Sequence, residues 1–234
     1  AKAYITLKKP VEADAAVKAA LAASPNHLGA RLLEVRRLAG QKDVSGALAL
    51  LDKVIESAPT DSGARLLKGD LLMQTGQDEA ALTAYREAIQ RNSANVAAQT
   101  AAVWILLSRR DLAGAEVQLE GFRKVAPQLP QVGFFSAAIA FERGDTKAAY
   151  DMVQRVLRVM PDDPTVLQLA GALELNKGQF RQAEAHLSKA LQAAPDRPRV
   201  RLLLAQAHLR QRGAFQGHQL RDDPADIQVG AQSG

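Results

Sequence analysis

The side chains that could bind a metal or transfer a proton are scattered through this 234-residue sequence. The chain contains four histidines and no cysteine, which excludes disulfides, thiolate zinc sites and cysteine nucleophiles. A histidine that binds a metal from one face of a helix usually has a second ligand three or four residues away on the same face. Neither His27 nor His186 has a histidine or carboxylate at i+3 or i+4. We therefore expect structural or solvent-facing roles for all four, which are His27, His186, His208 and His218.

Paired carboxylates do not indicate catalysis either. Asp162-Asp163 and Asp222-Asp223 each precede a proline, a pattern typical of turns. Neighbouring residues in a turn rarely converge on one reacting centre, as a general acid and base must. Serine and threonine lack a convergent base, and no glycine-rich phosphate loop is present. The sequence thus predicts a protein that is not an enzyme and needs no metal or cofactor.

Composition narrows the class of protein further. Hydrophobic residues make up 47% of the chain but aromatic residues only 4%, and alanine supplies much of the difference. Because alanine is the best helix former and lets helices approach closely, this composition favours stacked helices. The evenly spread net charge of +5 and the scarcity of aromatic rings argue against nucleic-acid binding. The longest apolar stretch, residues 101–107, is far shorter than the roughly 20 residues of a bilayer span, so we expect no direct membrane insertion.

Residues of the same type recur along the chain with a period of 34. Each member of an alanine series is followed four residues later by a larger apolar side chain, which marks one face of a helix. A second series of small or branched residues marks the middle of another helix, and Gly76, Gly144 and Gly178 follow as helix ends. The first series is Ala13, Ala47, Ala81, Ala115, Ala149 and Ala183, and the second is Val35, Gly69, Val103, Ala137, Gly171 and Ala205.

Prolines at the same period close each unit of helix, tight turn and helix. They stand at Pro25, Pro59, Pro127, Pro161 and Pro195, with Ser93 in the place of one. A 34-residue helix–turn–helix unit with this pattern resembles the tetratricopeptide repeat, or TPR. The resemblance implies an all-α fold, a right-handed α-solenoid of antiparallel helix pairs that forms the TPR superhelix.

The period also divides the chain. Complete repeats are expected at 28–61, 62–95, 96–129, 130–163 and 164–197. Residues 1–27 form a partial repeat, mainly its second helix, and 198–212 the first helix of a further repeat. Residues 213–234 are expected to form an irregular C-terminal tail, because Gly217 stands where the period requires alanine. We interpret the chain as a fragment of a longer array with uncapped ends.

The tail carries apolar residues that the repeat pattern does not explain. We expect Phe215, Leu220 and Ile227 to dock on the open last helix or on a groove of the same or another chain. The alternative is a tail whose order comes only from contacts with neighbouring molecules. Docking between chains through the tail or the uncapped ends would make the protein a homo-oligomer.

TPR proteins bind partners on the concave face that their first helices line. In this sequence the family's groove positions hold an apolar centre and lack the Lys and Asn with which chaperone-binding TPR proteins hold a terminal carboxylate. The resemblance therefore implies an amphipathic helix or extended apolar segment as partner, although these side chains could instead pack between successive first helices. The candidate groove residues are Arg36, Asp70, Met73, Trp104, Leu107, Phe134, Phe141, Gln168, Leu175 and Gln206.

Arginines cluster near the last predicted helix. Arg197, Arg199 and Arg201 form a candidate basic rim of the groove, and Arg210 and Arg212 follow. Such a cluster is either a solvated helix edge or a surface for an acidic partner, such as a peptide carboxylate, a polyanionic polymer or a phosphate.

The stretch from Pro127 to Arg212 is similar to the TPR lipoproteins of bacterial exopolysaccharide and PEP-CTERM protein-sorting systems. The residues that carry this likeness include Pro161-Asp162-Asp163-Pro164 and the run from Arg201 to Leu209. It implies a non-catalytic protein-interaction scaffold of the bacterial envelope, in a periplasmic, lipid-anchored parent protein. If the likeness fails, a cytoplasmic protein is expected. The alternative function is a self-associating or spacer repeat region that binds no peptide.

Overall fold

The computed structural model describes the backbone of residues 10–219 and the side chains of residues 14–213. Within that range the chain forms twelve α-helices joined by short turns, and no strand. It divides into two compact units, residues 1–127 and 128–234. The helices of the first unit are α1 (Pro10–Ala23), α2 (Leu28–Gly40), α3 (Val44–Ser57), α4 (Ser62–Gln74), α5 (Asp78–Arg91), α6 (Val96–Ser108) and α7 (Leu112–Val125). Those of the second are α8 (Pro130–Glu142), α9 (Thr146–Val159), α10 (Pro164–Asn176), α11 (Phe180–Ala193) and α12 (Pro198–Gln219).

Several helices begin where a polar side chain caps the first turn. Asp43 accepts a hydrogen bond from the Gly46 amide at 2.8 Å, and Asp111 makes the same contact with Gly114. Such N-caps satisfy amide groups that have no partner inside the helix. His27 caps α2 in this way, because its Nδ1 accepts from the Ala30 amide at 3.1 Å. The structure thus gives this histidine a structural role.

The turn inside each helix pair contains one residue with a left-handed backbone, and this residue recurs every 34 positions. Glycine occupies it at Gly76, Gly144 and Gly178, but Lys42 and Arg110 occupy it in the other two turns, with φ of 65° and 59°. Side chains other than glycine disfavour this conformation. All five turns therefore share the left-handed conformation, although it is unfavourable for Lys42 and Arg110.

Each unit buries the residues of the alanine series. Ala47, Ala81 and Ala115 are fully buried in the first unit, and Ala149 and Ala183 in the second. Small side chains here let a second helix lie close to its neighbours. Larger buried apolar residues fill the space between the helices, among them Leu51, Phe122 and Leu187.

The glycines of the second series mark the closest approaches between paired helices. A Cβ atom added at Gly69 would overlap the ring of Tyr85, and one added at Gly171 would lie 2.5 Å from Cγ of Leu187. Real Cβ atoms do not approach other atoms so closely. Gly69 and Gly171 therefore mark close crossings between the two helices of their pairs.

The last helix runs farther than expected. α12 continues to Gln219. The sequence predicted that this helix would end at Arg212 and that an irregular tail would follow, so the helix is seven residues longer than predicted. Glycine weakens a helix by only about 1 kcal/mol, so Gly213 and Gly217 do not stop it. Residues 220–234 and the side chain of Phe215 lie outside the described part of the chain, and so do the docking contacts predicted for Phe215, Leu220 and Ile227.

Candidate functional site

Exposed apolar side chains mark the first helices of the first unit. Met73 on α4 is 38% exposed and Trp104 on α6 is 42% exposed, although both are large apolar residues. Leu107, one turn after Trp104, is half-buried, and Arg36 on α2 is exposed. Met73 and Leu107 occupy the same position of successive repeats. We call Met73, Trp104 and Leu107 the first-unit surface.

Asp70 is oriented by a contact within its own repeat. The hydroxyl of Tyr85 on α5 donates to Oδ1 of Asp70 at 2.9 Å. Burial of the Tyr85 ring and this hydrogen bond raise the pKa of Tyr85 above its ordinary value of about 10. The hydrogen bond holds the Asp70 side chain in place on α4, one turn before Met73.

In the second unit two predicted groove residues are not on the surface. Phe134 is buried and packs edge-on against Phe135, with ring centroids 5.3 Å apart. Leu175 is buried with Leu187 and Ala183 in the apolar core. These two side chains belong to the interior, which corrects their assignment to a partner-binding surface. Of the other candidates in this unit, Phe141 and Gln168 are half-buried and Gln206 is exposed.

The predicted basic rim is partly used for structure. Arg197 donates from Nη2 to Oγ1 of Thr165 at 3.2 Å, which ties the start of α12 to α10. Arg201 donates to the Pro195 carbonyl at 2.6 Å and lies 3.8 Å from Asp196. Arg199 is exposed. Only part of this cluster is therefore directed towards solvent.

An acid–histidine pair that sequence reasoning missed joins α10 to α11. Nδ1 of His186 lies 2.9 Å from both carboxylate oxygens of Glu174, and the Glu174 side chain is only 2% exposed. The two residues are twelve positions apart, so a search at helical spacings does not find them. Comparison along the period marks Glu174 as unusual but does not identify its partner, since the position of Glu174 holds Leu38, Leu72, Leu106 and Ala140 in the preceding repeats.

Among the described side chains, no three histidine, aspartate or glutamate residues group as a metal site would require. None of the described helices is both long and apolar enough to cross a bilayer.

Two family models match this chain. One model of the tetratricopeptide repeat matches residues 38–86 and 174–214, and a second matches residues 66–120. Together they cover more than half of the chain. This is a tetratricopeptide repeat protein. No curated relative matches the sequence.

Solved structures similar to this TPR protein share its fold at low identity. The APC/C hetero-tetramer Cut9–Hcn1 aligns with a TM-score of 0.69 at 15% identity, over 87% of this chain and 41% of that chain. TTC0263 of Thermus thermophilus aligns with a TM-score of 0.60 at 19% identity, over 78% and 99%. YrrB aligns with a TM-score of 0.56 at 17% identity, over 79% and 95%. The fold class is therefore that of TPR solenoids, and this chain spans less than half of the Cut9–Hcn1 chain.

Proposed function

We propose that this TPR protein is a non-catalytic scaffold that binds an apolar or amphipathic segment of another protein on the first-unit surface. The exposure of Trp104 is the observation that carries this proposal. Tryptophan is enriched among residues that dominate binding energies at protein interfaces, and a large ring left 42% exposed has apolar area to bury against a partner. Met73 and Leu107 are the other apolar side chains of the first-unit surface.

Two solved relatives support a binding role. YrrB is described as a TPR protein with an unusual peptide-binding site, and Cut9 is assembled with Hcn1 in a hetero-tetramer. The fixed Asp70 carboxylate beside Met73 would favour a partner that places a polar or basic residue next to its apolar ones. This preference is part of the proposal.

The single tryptophan of the chain reports binding directly. A tryptophan-free, uncharged amphipathic peptide of about 18 residues, or five helical turns, should shift Trp104 emission to shorter wavelength when titrated into the protein. Replacing Trp104 with alanine should weaken binding about tenfold, because a buried interface tryptophan contributes more than about 1 kcal/mol. Fluorescence anisotropy of the labelled peptide measures both dissociation constants.

Val117→Ala is the matched control for this substitution. Val117 is an exposed apolar residue of the same unit, but it lies on the second helix α7. The Val117→Ala variant should bind the peptide as the parent does. Equal affinity of the Trp104→Ala variant, with its helical circular dichroism unchanged, would remove the first-unit surface from the function. Self-association in light scattering without peptide binding would support the spacer alternative instead.

We further propose that the parent protein works in the bacterial envelope, as a periplasmic lipid-anchored component of exopolysaccharide export or protein sorting. The support is the sequence similarity of residues 127–212 to TPR lipoproteins of those systems. Cell fractionation with an antibody against this chain tests the location. Recovery in the membrane fraction, on the periplasmic side, is the expected result, and recovery in the cytoplasm would contradict it.

A further inference from the structure

The outward face of α7 carries an apolar row. Val117 is 76% exposed and Val125 is 40% exposed, and Gly121, midway between them, is exposed as well. Residues four apart form one ridge of a helix surface, so these three follow one another over about 12 Å. We call Val117, Gly121 and Val125 the α7 row. Its two valines leave apolar area for another molecule to cover.

Gly121 is the member of the α7 row that packing within the chain does not explain. A Cβ atom added there meets nothing within 4 Å, although a glycine inside a helix costs about 1 kcal/mol relative to alanine. The equivalent positions of α3, α5, α9 and α11 all hold long, exposed, charged side chains, namely Lys53, Glu87, Arg155 and Lys189. A glycine in their place lets the backbone of another helix approach α7 closely.

A row of charged side chains runs beside the α7 row. Glu116, Glu120 and Lys124 are four residues apart, and all three are exposed. The two acidic residues come before Gly121 in the sequence and the basic residue comes after it. Glu120 also forms an ion pair with Arg123 of the same helix. This charged row is therefore acidic towards the start of α7 and basic towards its end.

The α7 row matches itself when two copies of the helix lie antiparallel. A two-fold axis that passes Gly121 places Val117 of one copy opposite Val125 of the other, because each valine is four residues from the glycine. The two glycines then meet at the centre, where the helices cross most closely. The apolar contacts are thus the same on both sides of the axis.

The charged row agrees with the same two-fold axis. Lys124 of each copy lies level with the interval between Glu116 and Glu120 of the other copy, about 3 Å from each along the helix axis. A parallel pair in register would instead bring each charge against the same charge, which is unfavourable. Charge complementarity therefore favours a second, antiparallel copy of α7 as the occupant.

We propose that the α7 row is a self-association surface, through which two copies of the chain form an antiparallel dimer. Contact through one helix of 14 residues is smaller than the roughly 1,200–2,000 Å² that stable interfaces bury, so we expect a dissociation constant of about 10–100 μM. The row lies on a second helix and is separate from the first-unit surface of the proposed function. Trp104→Ala should therefore leave the dimer intact.

Sedimentation velocity of the whole 234-residue chain tests the dimer. A monomer–dimer equilibrium is expected between about 1 and 300 μM, and Gly121→Lys should abolish it, because a long charged side chain holds the two helices apart. This variant should fold normally, since α3 and α11 carry lysine at the same position, and helical circular dichroism checks the fold. A monomer at every concentration, or a dimer that Gly121→Lys does not change, would overturn the proposal.

Val117→Lys and Val159→Lys form a matched pair of substitutions. Both valines are largely exposed on second helices, but Val159 lies on α9, where Arg155 takes the place of the glycine. Val117→Lys should weaken dimerisation at least about tenfold, and Val159→Lys should leave it unchanged. An equal effect of the two substitutions would mean that self-association does not depend on the α7 row.

Complementary charge variants test the antiparallel match. Lys124→Glu makes the charged row acidic throughout, and Glu116→Lys with Glu120→Lys makes it basic throughout. Neither variant should dimerise alone, because like charges then face each other, whereas an equimolar mixture should form a heterodimer. A mixture that stays monomeric, with both variants folded by circular dichroism, would contradict the match of charges.

Cross-linking measures the orientation of the two copies, since the chain has no cysteine of its own. A short bis-maleimide should link Val117→Cys to Val125→Cys in a mixture of the two variants. It should link Val117→Cys to itself much less, because those positions would be eight residues, or about 12 Å, apart along the helix axis. Equal linking of Val117→Cys to itself would overturn the antiparallel dimer.

Discussion

Replacing His186 with leucine should lower the free energy of unfolding by about 3 kcal/mol. The substitution leaves the carboxylate of Glu174 inside the second unit without its partner. Glu174 is almost fully buried, and His186 Nδ1 contacts both of its oxygens at 2.9 Å. Leaving a buried hydrogen-bonding group without its partner costs about 1–3 kcal/mol, and more for a charged group, so a carboxyl group as buried as that of Glu174 places the expected loss near the top of that range.

Replacing both residues should reverse the loss. The double variant Glu174→Leu, His186→Leu recreates the pair Leu38 and Leu50, which occupies the same two positions in the repeat 28–61. Well-packed apolar residues in place of a buried pair are often neutral or stabilising by about 1–4 kcal/mol. Urea unfolding at neutral pH, followed by circular dichroism, measures the single and double variants. Equal losses in the two would contradict this account of the pair.

His208→Leu is the control for the histidine itself. His208 lies 3.7 Å from Glu184, and both side chains are substantially exposed. An exposed pair contributes about 0–1 kcal/mol, so this variant should unfold close to the parent. A loss as large as that of His186→Leu would indicate a general effect of histidine in the second unit.

Gly69→Ala should destabilise the first unit by about 1–2 kcal/mol, although alanine is the better helix former by about 1 kcal/mol. The new methyl group would overlap the ring of Tyr85, which is buried and held by its hydrogen bond to Asp70. Inserting atoms into a well-packed interior costs about 1–3 kcal/mol. This overlap outweighs the gain in helix propensity.

The control is the same substitution at a site with free space. A Cβ atom at Gly121 in α7 meets nothing within 4 Å, so Gly121→Ala should stabilise the protein by about 0.5–1 kcal/mol.

In a Tyr85→Val background, Gly69→Ala should become neutral or stabilising, since Ala137 and Val153 form this pair in another repeat. Denaturant unfolding of the four variants measures the coupling. The same sign for Gly69→Ala and Gly121→Ala would refute the packing explanation.

The period of 34 predicts the helices well for a physical reason. First helices begin at Leu28, Ser62, Val96, Pro130 and Pro164, the residues at which the repeats were expected to start. Residues close in sequence determine where each helix begins, because caps, turns and apolar faces all recur with a period of 34 residues.

Which groove residues meet solvent does not follow from the period. Phe134 and Trp104 both lie on first helices at positions that the family uses for partners, yet Phe134 is buried against Phe135 and Trp104 is exposed. Exposure depends on the sizes of side chains from neighbouring helices, which one sequence does not order in space. The pairing of Glu174 with His186 was missed for the same reason, since the two meet only across α10 and α11.

The turns at Lys42 and Arg110 have a consequence for the dynamics of the first unit. A left-handed residue other than glycine raises the local free energy by about 1–2 kcal/mol, while the turn at Gly76 carries no such strain. Regions of lower local stability open more often than the rest of a fold. Helix pairs of nearly identical geometry therefore differ in how readily they open. We therefore expect the α2–α3 and α6–α7 pairs to open more readily than the α4–α5 pair.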